Sequence, residues 1–341
     1  MTVAVTGATG HVGANLIRSM VGQGHQVRAV VHGAWHGLYG VDVEIARADV
    51  RDIDSLRTAF DGCEMVFHLA ARISIIGDPD GALNDINVAG VRNAAQAALD
   101  CKVRRFVHCS SIHAFDLDHK DGPITEESPR ATRATLPPYD RSKNAGEQEL
   151  HKLIAQGLDA VIINPTGIIG PQDPRPSRVG EVMLDLYERN LPALVSGGFD
   201  WVDVRDVVIG LMAAAERGTT GENYIIGGDW ASVTELANLA ASVTGKRRPR
   251  LVCPMFLARL AAPFALWTAE RLNVEPLFTP EGLHALRANQ DIRHDKAARE
   301  LGYAPRPLED TIGDVYRWFA AAGFITNSTL QPALPSTEKA S

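Results

Sequence analysis

Tyr139 and Lys143 stand four residues apart in "YDRSK", at the start of a segment that reads as a helix. Four residues make about one helical turn, so both side chains share a face and can reach one ligand. Upstream, Ser110 and Ser111 close the apolar run "RFVHC", which places hydroxyls at the carboxyl end of an expected strand. A phenol titrates near ~10, and moving that to neutral pH takes about 4 kcal/mol. A neighbouring ammonium stabilises the phenolate in the right direction. These residue types suit transfer of a proton to or from a substrate oxygen, with a serine hydroxyl donating to the same oxygen.

The elements that position them begin at the amino terminus. In "VTGATGHVG", Gly7, Gly10 and Gly13 follow the short run "TVAV" (Thr2 to Val5) and open "HVGANLIRSMVGQG", whose Val12, Leu16, Ile17 and Met20 lie on one helical face. This is a strand-to-helix turn, where glycine permits positive φ and close backbone approach, and where unpaired amides and the helix dipole favour an anion. The spacing is not the G-x-G-x-x-G of the common dinucleotide fingerprint. Further strand-like runs are "QVRAVVH", "VEIARADV", "MVFHLAA", "RFVHCSS" and "AVIINPTGI", with helical segments "DIDSLRTAF", "NDINVAGVRNAAQAALD" and "YDRSKNAGEQELHKLIAQ" between them. The alternation predicts an α/β fold with a doubly wound parallel sheet.

Between Phe115 and Pro138 the chain is acidic and Pro-rich, as a loop over a site would be. After Gly170, helices such as "VTELANLAASVTG" and "PEGLHALRANQ" alternate with brief strands such as "NYIIGG", which predicts a smaller, mostly helical carboxyl-terminal lobe. The expected division is an α/β domain over 1–170, a second lobe over 171–324 from which the chain crosses back, and a flexible tail over 325–341.

A hydrophobic fraction of 45% and a charged fraction of 22% are those of a globular chain, and the net charge of −7 argues against nucleic acid as a partner. Cys63, Cys101, Cys109 and Cys253 have no metal-ligand spacing, which suits free thiols in a reducing cytoplasm. His68 and His113 lack a third ligand at a recognisable spacing, so no metal is implied. The apolar stretch Leu251 to Ala269 contains Pro254, Arg259 and Pro263, a poor membrane span, though it leaves open a surface that meets membrane or apolar substrate.

The glycine turn, "ADV" (Ala48 to Val50), "HLAA" (His68 to Ala71), "NVAG" (Asn87 to Gly90), "CSS", "YDRSK" and "NPTGIIGP", in this order, resemble the motifs of the extended short-chain dehydrogenases/reductases, over roughly residues 1–230. The resemblance implies a Rossmann-like domain binding NADP or NAD, with Gly7, Thr9, Gly10, His11, Val12 and Gly13 at the pyrophosphate. It places Asp49 and Val50 at the adenine, and Leu69, Ala70 and Ala71 along the cleft. Ser111, Tyr139 and Lys143 would be catalytic, Tyr139 and Lys143 also touching cofactor, and Pro165 would border the nicotinamide. Asn87 fits a structural helper better than a reactant.

Val31 stands where NAD-preferring members carry an acidic residue for the ribose 2′-hydroxyl. With His32 next to it and Arg28 earlier in the strand, NADP is favoured over NAD. The apolar segment and "FDWVDVRDVV" (Phe199 to Val208) resemble the dihydroflavonol reductase-like and 3β-hydroxysteroid dehydrogenase-like branch, which implies ketone–alcohol interconversion on a bulky apolar small molecule. The alternatives are a nucleotide-sugar 4-epimerase, for which Arg175, Arg178, Arg205 and Arg287 could serve a sugar diphosphate, and a catalytically silent dinucleotide-binding regulator. The helices from Asn87 to Asp100 and from Tyr139 to Gln156 match the pair that builds a four-helix homodimer interface in extended members.

Overall fold

The computed structural model describes residues 2–33, 36–78, 80–272, 279–326 and 330. Of the expected tail, only Ile325, Thr326 and Leu330 fall within these residues. Strands β1 (Thr2–Thr6), β2 (Gln26–Val31), β3 (Glu44–Arg47), β4 (Met65–His68), β5 (Arg105–Cys109) and β6 (Ala160–Pro165) lie in one parallel sheet, in the order β3-β2-β1-β4-β5-β6. Every residue of β4, β5 and β6 is buried, as expected of strands covered on both faces.

On one face pack α1 (His11–Gly22) and, later in the chain, the helix Val204–Arg217. There Leu16 and Ile17 meet Val207 and Leu211. On the other face lie α2 (Ile53–Phe60), the short α3 (Ala82–Asn84) that passes through a π-type turn into α4 (Gly90–Asp100), and α5 (Pro138–Ile154). Leu56, Phe60, Val91 and Leu150 form that second core.

Beyond α5, β7 (Gly167–Ile169), α6 (Arg178–Glu188), β8 (Leu194–Val195) and β9 (Gly198–Asp203) begin the carboxyl-terminal lobe. The chain then returns through α7, the helix Val204–Arg217, to β10 (Asn223–Ile226), which pairs parallel with β6 as a seventh strand. The run "NYIIGG", expected in the lobe, therefore belongs to the large sheet, where it covers the β6 edge that would otherwise leave backbone groups unpaired. β11 (Asp229–Ser232) leads back to the lobe, joined by α8 (Val233–Thr244), β12 (Val252–Cys253), α9 (Met255–Leu272) and α10 (Pro280–Ala285). Next, α11 (Asp295–Leu301) packs on α7, and α12 (Leu308–Ala321) closes the lobe. The lobe core gathers Phe115, Met183, Leu236, Tyr316 and Phe319 around the small sheet β11-β9-β7.

Candidate active site and cofactor crevice

The strand order reverses between β1 and β4, and the turn after β1 opens into that crevice. Gly7 has φ +67°, and a Cβ on it would lie 2.7 Å from the Leu69 carbonyl carbon. A Cβ on Gly13 would lie 2.2 Å from the Gly7 oxygen. Turn, helix and the segment after β4 are thus in backbone contact, which only glycine allows at these two positions. Gly10 is the N-cap of α1 with no side-chain cap, and the first turn holds no acidic residue, so the helix start suits a phosphate. Thr9 and Val12 are half-buried in this turn, whereas the His11 imidazole turns aside, its Nε2 3.1 Å from the Pro171 oxygen. Leu69 and Ala70 donate their amides to Thr6 Oγ1 at 3.2 and 3.3 Å, and Ala71 beside them is exposed. Asn87 is buried, with Oδ1 accepting from the Arg72 amide at 2.8 Å and Nδ2 donating to the Arg72 oxygen and Ser142 Oγ. It ties the crevice wall to α5 and spends both amide hydrogens in doing so.

At the far end of the crevice, Asp49 Oδ2 lies 3.2 Å from His32 Nε2 and 2.5 Å from Arg51 Nη2. Its carboxyl is held down at about 2, chiefly by the Arg51 hydrogen bonds. Val50 packs against α4 at Gly90, and its oxygen accepts from Asn93 Nδ2. One expectation fails here. Arg28 donates to Glu44 Oε1 at 2.7 Å and to the oxygens of Ala59 and Asp61, at the end of the sheet opposite the glycine turn, so it cannot meet a 2′-phosphate. Val31 is buried in the core beside α1. Arg51, which the sequence reading passed over, engages Asp49 just beyond β3.

Tyr139 and Lys143 occupy the first two turns of α5, which starts at Pro138 in the first position, where a missing amide costs nothing. The Ser111 hydroxyl accepts from the His113 amide at 3.3 Å and lies close enough to the Tyr139 phenol to favour its ionised form, while the buried Ser110 Oγ has no partner among the described residues. Burial pushes the phenol well up and outweighs the pull of Ser111; the charges acting on it are those of Asp140 and Cys109, not of Lys143. The protein alone therefore does not create the acidic phenol that the Tyr–Lys spacing suggested. Lys143 is 4% exposed, and burial lowers its ammonium to about 8. It has no ion pair or hydrogen bond among the described residues. Behind it, the imidazole of His68 contacts Thr6 Oγ1 at 2.9 Å and is kept neutral by burial and by the nearby ammonium. Pro165 is buried at the end of β6, opposite Ile226.

A polar knot that the sequence reading missed holds the serine strand end. Asn164, fully buried in β6, donates to the Ser111 oxygen at 2.9 Å and to Glu147 Oε1 at 2.7 Å. Glu147 also pairs with Arg130 and accepts from Asn223 at 2.9 Å. The asparagine inside the apolar run "AVIINP" was the available signal, because a buried amide must find partners.

On the substrate side, the His113 ring stacks on Phe199 at 5.7 Å and meets Tyr139 edge-on at 5.5 Å. Its Nδ1 approaches Asp140 Oδ1 to 3.0 Å, off the hydrogen-bond axis. Phe199 in turn contacts Trp201. Of the arginines considered for a sugar diphosphate, Arg205 is consumed by Asp203 and Asp314 at 2.7 and 2.6 Å, and Arg178 leans on Glu181. The rest of "FDWVDVRDVV" is scaffolding too: Asp203 caps α7, and Asp206 holds Arg306.

A parallel sheet of this order with a glycine-lined crevice and a Ser–Tyr–Lys group at its edge defines a Rossmann-type dinucleotide-dependent enzyme. The chain belongs to the NAD dependent epimerase/dehydratase family, whose model matches residues 3–227. It is 35% identical to sterol demethylase protein B of Methylococcus capsulatus, over 95% of this chain and all of that one. It is 32% identical to a putative dihydroflavonol 4-reductase of Synechocystis, over 94% and 95%. Among solved structures, gox2253 matches with a TM-score of 0.82 and 34% identity over 95% of this chain and 99% of that one. PA4631 of Pseudomonas aeruginosa, described as a nucleoside-diphosphate-sugar epimerase, shares the fold at 23% identity, with a TM-score of 0.77 over 96% and 99%.

Proposed function

We propose that this protein interconverts a ketone and a secondary alcohol on a bulky, largely apolar substrate. The observation that carries this reading is the proximity of Ser111 to the Tyr139 phenol, one helical turn from a buried Lys143 that has no ion pair or hydrogen bond among the described residues. Tyr139 passes a proton to or from the substrate oxygen, Ser111 holds that oxygen, and Lys143 binds ribose hydroxyls. When bound, the dinucleotide exchanges a hydride with the carbinol carbon and brings the positive ring that the phenol otherwise lacks. The aromatic wall of His113, Phe199 and Trp201 and the sterol- and flavonol-related names of the relatives favour an apolar substrate. The commitment of Arg205 to carboxylates weighs against the epimerase alternative.

NADP is favoured on account of Arg51 and His32. Residues 1–170 with the returning α7 and β10 form the cofactor unit, and the rest of 171–324 receives substrate. We place the protein in the cytoplasm as a homodimer through α4 and α5, which light scattering tests; a monomer at micromolar concentration overturns that assembly. The reaction is tested by titrating the protein with NADH and NADPH on nicotinamide fluorescence, then offering steroid, flavonoid and aryl ketones beside UDP-sugars. Turnover of an apolar ketone supports the proposal, and turnover of UDP-sugars alone moves the reading to epimerase.

A further inference from the structure

Over its first two turns, residues 255–262, helix α9 carries apolar residues on two sides but buries only one. Ala258 and Ala262 face the protein, with Leu283 and Val195 in their cluster. Phe256, Leu257 and Leu260 point away and are 64%, 46% and 76% exposed, and Leu251 and Val252 ahead of them are 70% and 41% exposed. An apolar helix face of this kind is unusual on a free surface. The charge around it is equally lopsided: residues 236–269 hold five basic and no acidic residues in a chain of net charge −7. Arg247 and Arg250 are exposed and without ion pairs among the described residues, as are Arg259 and Arg287. The last two line a cavity of about 210 Å³ beside α9, together with Pro280, Leu283 and His284. No helix among the described residues is long and apolar enough to cross a membrane.

We infer that this face docks on the surface of a bilayer containing anionic lipid. Phe256, Leu257 and Leu260 enter the acyl boundary, and Arg247, Arg250, Arg259 and Arg287 meet headgroup phosphates. The apolar face alone would suit a second copy of the chain, but two like-charged arginine sets would then oppose each other. The inference does not depend on the reaction proposed above.

The test is flotation of the full chain with vesicles of phosphatidylcholine alone or mixed with phosphatidylglycerol. Binding to the mixed vesicles is expected to be at least about fivefold tighter and to weaken with added salt. Phe256→Glu with Leu260→Glu abolishes it, and Arg247→Glu with Arg250→Glu lowers it by roughly tenfold or more. NADPH binding and circular dichroism show that both variants remain folded. Failure of the native chain to float, or undiminished flotation of the Phe256→Glu, Leu260→Glu variant, overturns the inference. So does a dimer that this variant dissociates in the absence of any vesicle binding, which would make the face a self-interface.

Discussion

Tyr139, Lys143 and Glu147 succeed one another at four-residue steps along one stripe of α5, yet the two ends of the stripe are treated in opposite ways. Glu147, 1% exposed, spends both carboxylate oxygens on Arg130, Asn164 and Asn223. Lys143, 4% exposed, has no ion pair or hydrogen bond among the described residues, and the Tyr139 phenol lies near the Ser111 hydroxyl and the edge of the His113 ring, with no countercharge of its own. An unpaired buried ion costs several kcal/mol, so a fold retains one only where something outside the chain completes it. The saturated end sets geometry, and the unsaturated end awaits ligand.

The largest break in this contrast should come from Tyr139→Phe. Turnover falls by about a thousandfold, while the cofactor dissociation constant stays within about twofold, because the phenol proton serves only the reaction. Steady-state rates beside fluorescence titration measure the two separately; a normal rate would mean that another group carries the proton. Glu147→Ala should act on the other quantity. It leaves the partly exposed Arg130 guanidinium without its counter-ion and the buried Asn164 amide short of an acceptor, and denaturant unfolding should show a loss of about 1–3 kcal/mol. Little change in stability, with turnover lost, would place Glu147 among the reacting groups instead.

Lys143→Met sharpens the comparison because activity and stability should move in opposite directions. Burial lowers this amine to about 8 from an unfolded value of 10.5. Between those values the unfolded chain binds more protons, so the folded state gains stability as pH rises. Well below pH 8 the penalty is fully present, on the order of 3 kcal/mol. Removing the amine should therefore raise the melting temperature of the cofactor-free protein at pH 7 and much less at pH 10. At the same time, cofactor binding weakens by about tenfold and turnover by about a hundredfold. A lower melting temperature at pH 7 would mean that the ammonium has an internal partner after all.

What the sequence made legible divides along the same line. Strands β1, β4, β5 and β6 were plain because central parallel strands are largely apolar runs, β2 and the edge strand β3 because they alternate with helices at regular spacing, and Tyr139 and Lys143 drew attention because their spacing puts both on one helix face. The return of Asn223–Ile226 to the sheet was hidden: one asparagine and three large apolar residues read alike in either lobe, and only the open β6 edge decides between them. Glu147 was hidden because a glutamate in a helix usually reads as solvent-facing, and Arg130, which neutralises it, comes from a loop. Arg28 misled because residue type does not say toward which end of a strand a long side chain will lie.

The smallest expected effect lies at the ribose edge, where the contrast is between committed and open charge. The Asp49 carboxylate is already engaged by His32 and Arg51, so its repulsion toward a 2′-phosphate is muted. Arg51 is half exposed and can turn a guanidinium edge to that phosphate while keeping its hold on Asp49. Replacing His32 and Arg51 together by alanine frees the carboxylate and removes both donors. NADPH affinity should then fall by roughly tenfold, while NADH affinity is held or gains slightly. The ratio of the two dissociation constants is the diagnostic, since a general loss of crevice structure would weaken both cofactors alike. An unchanged ratio would put the 2′ position beyond reach of this pair and leave the preference for NADP without its physical basis.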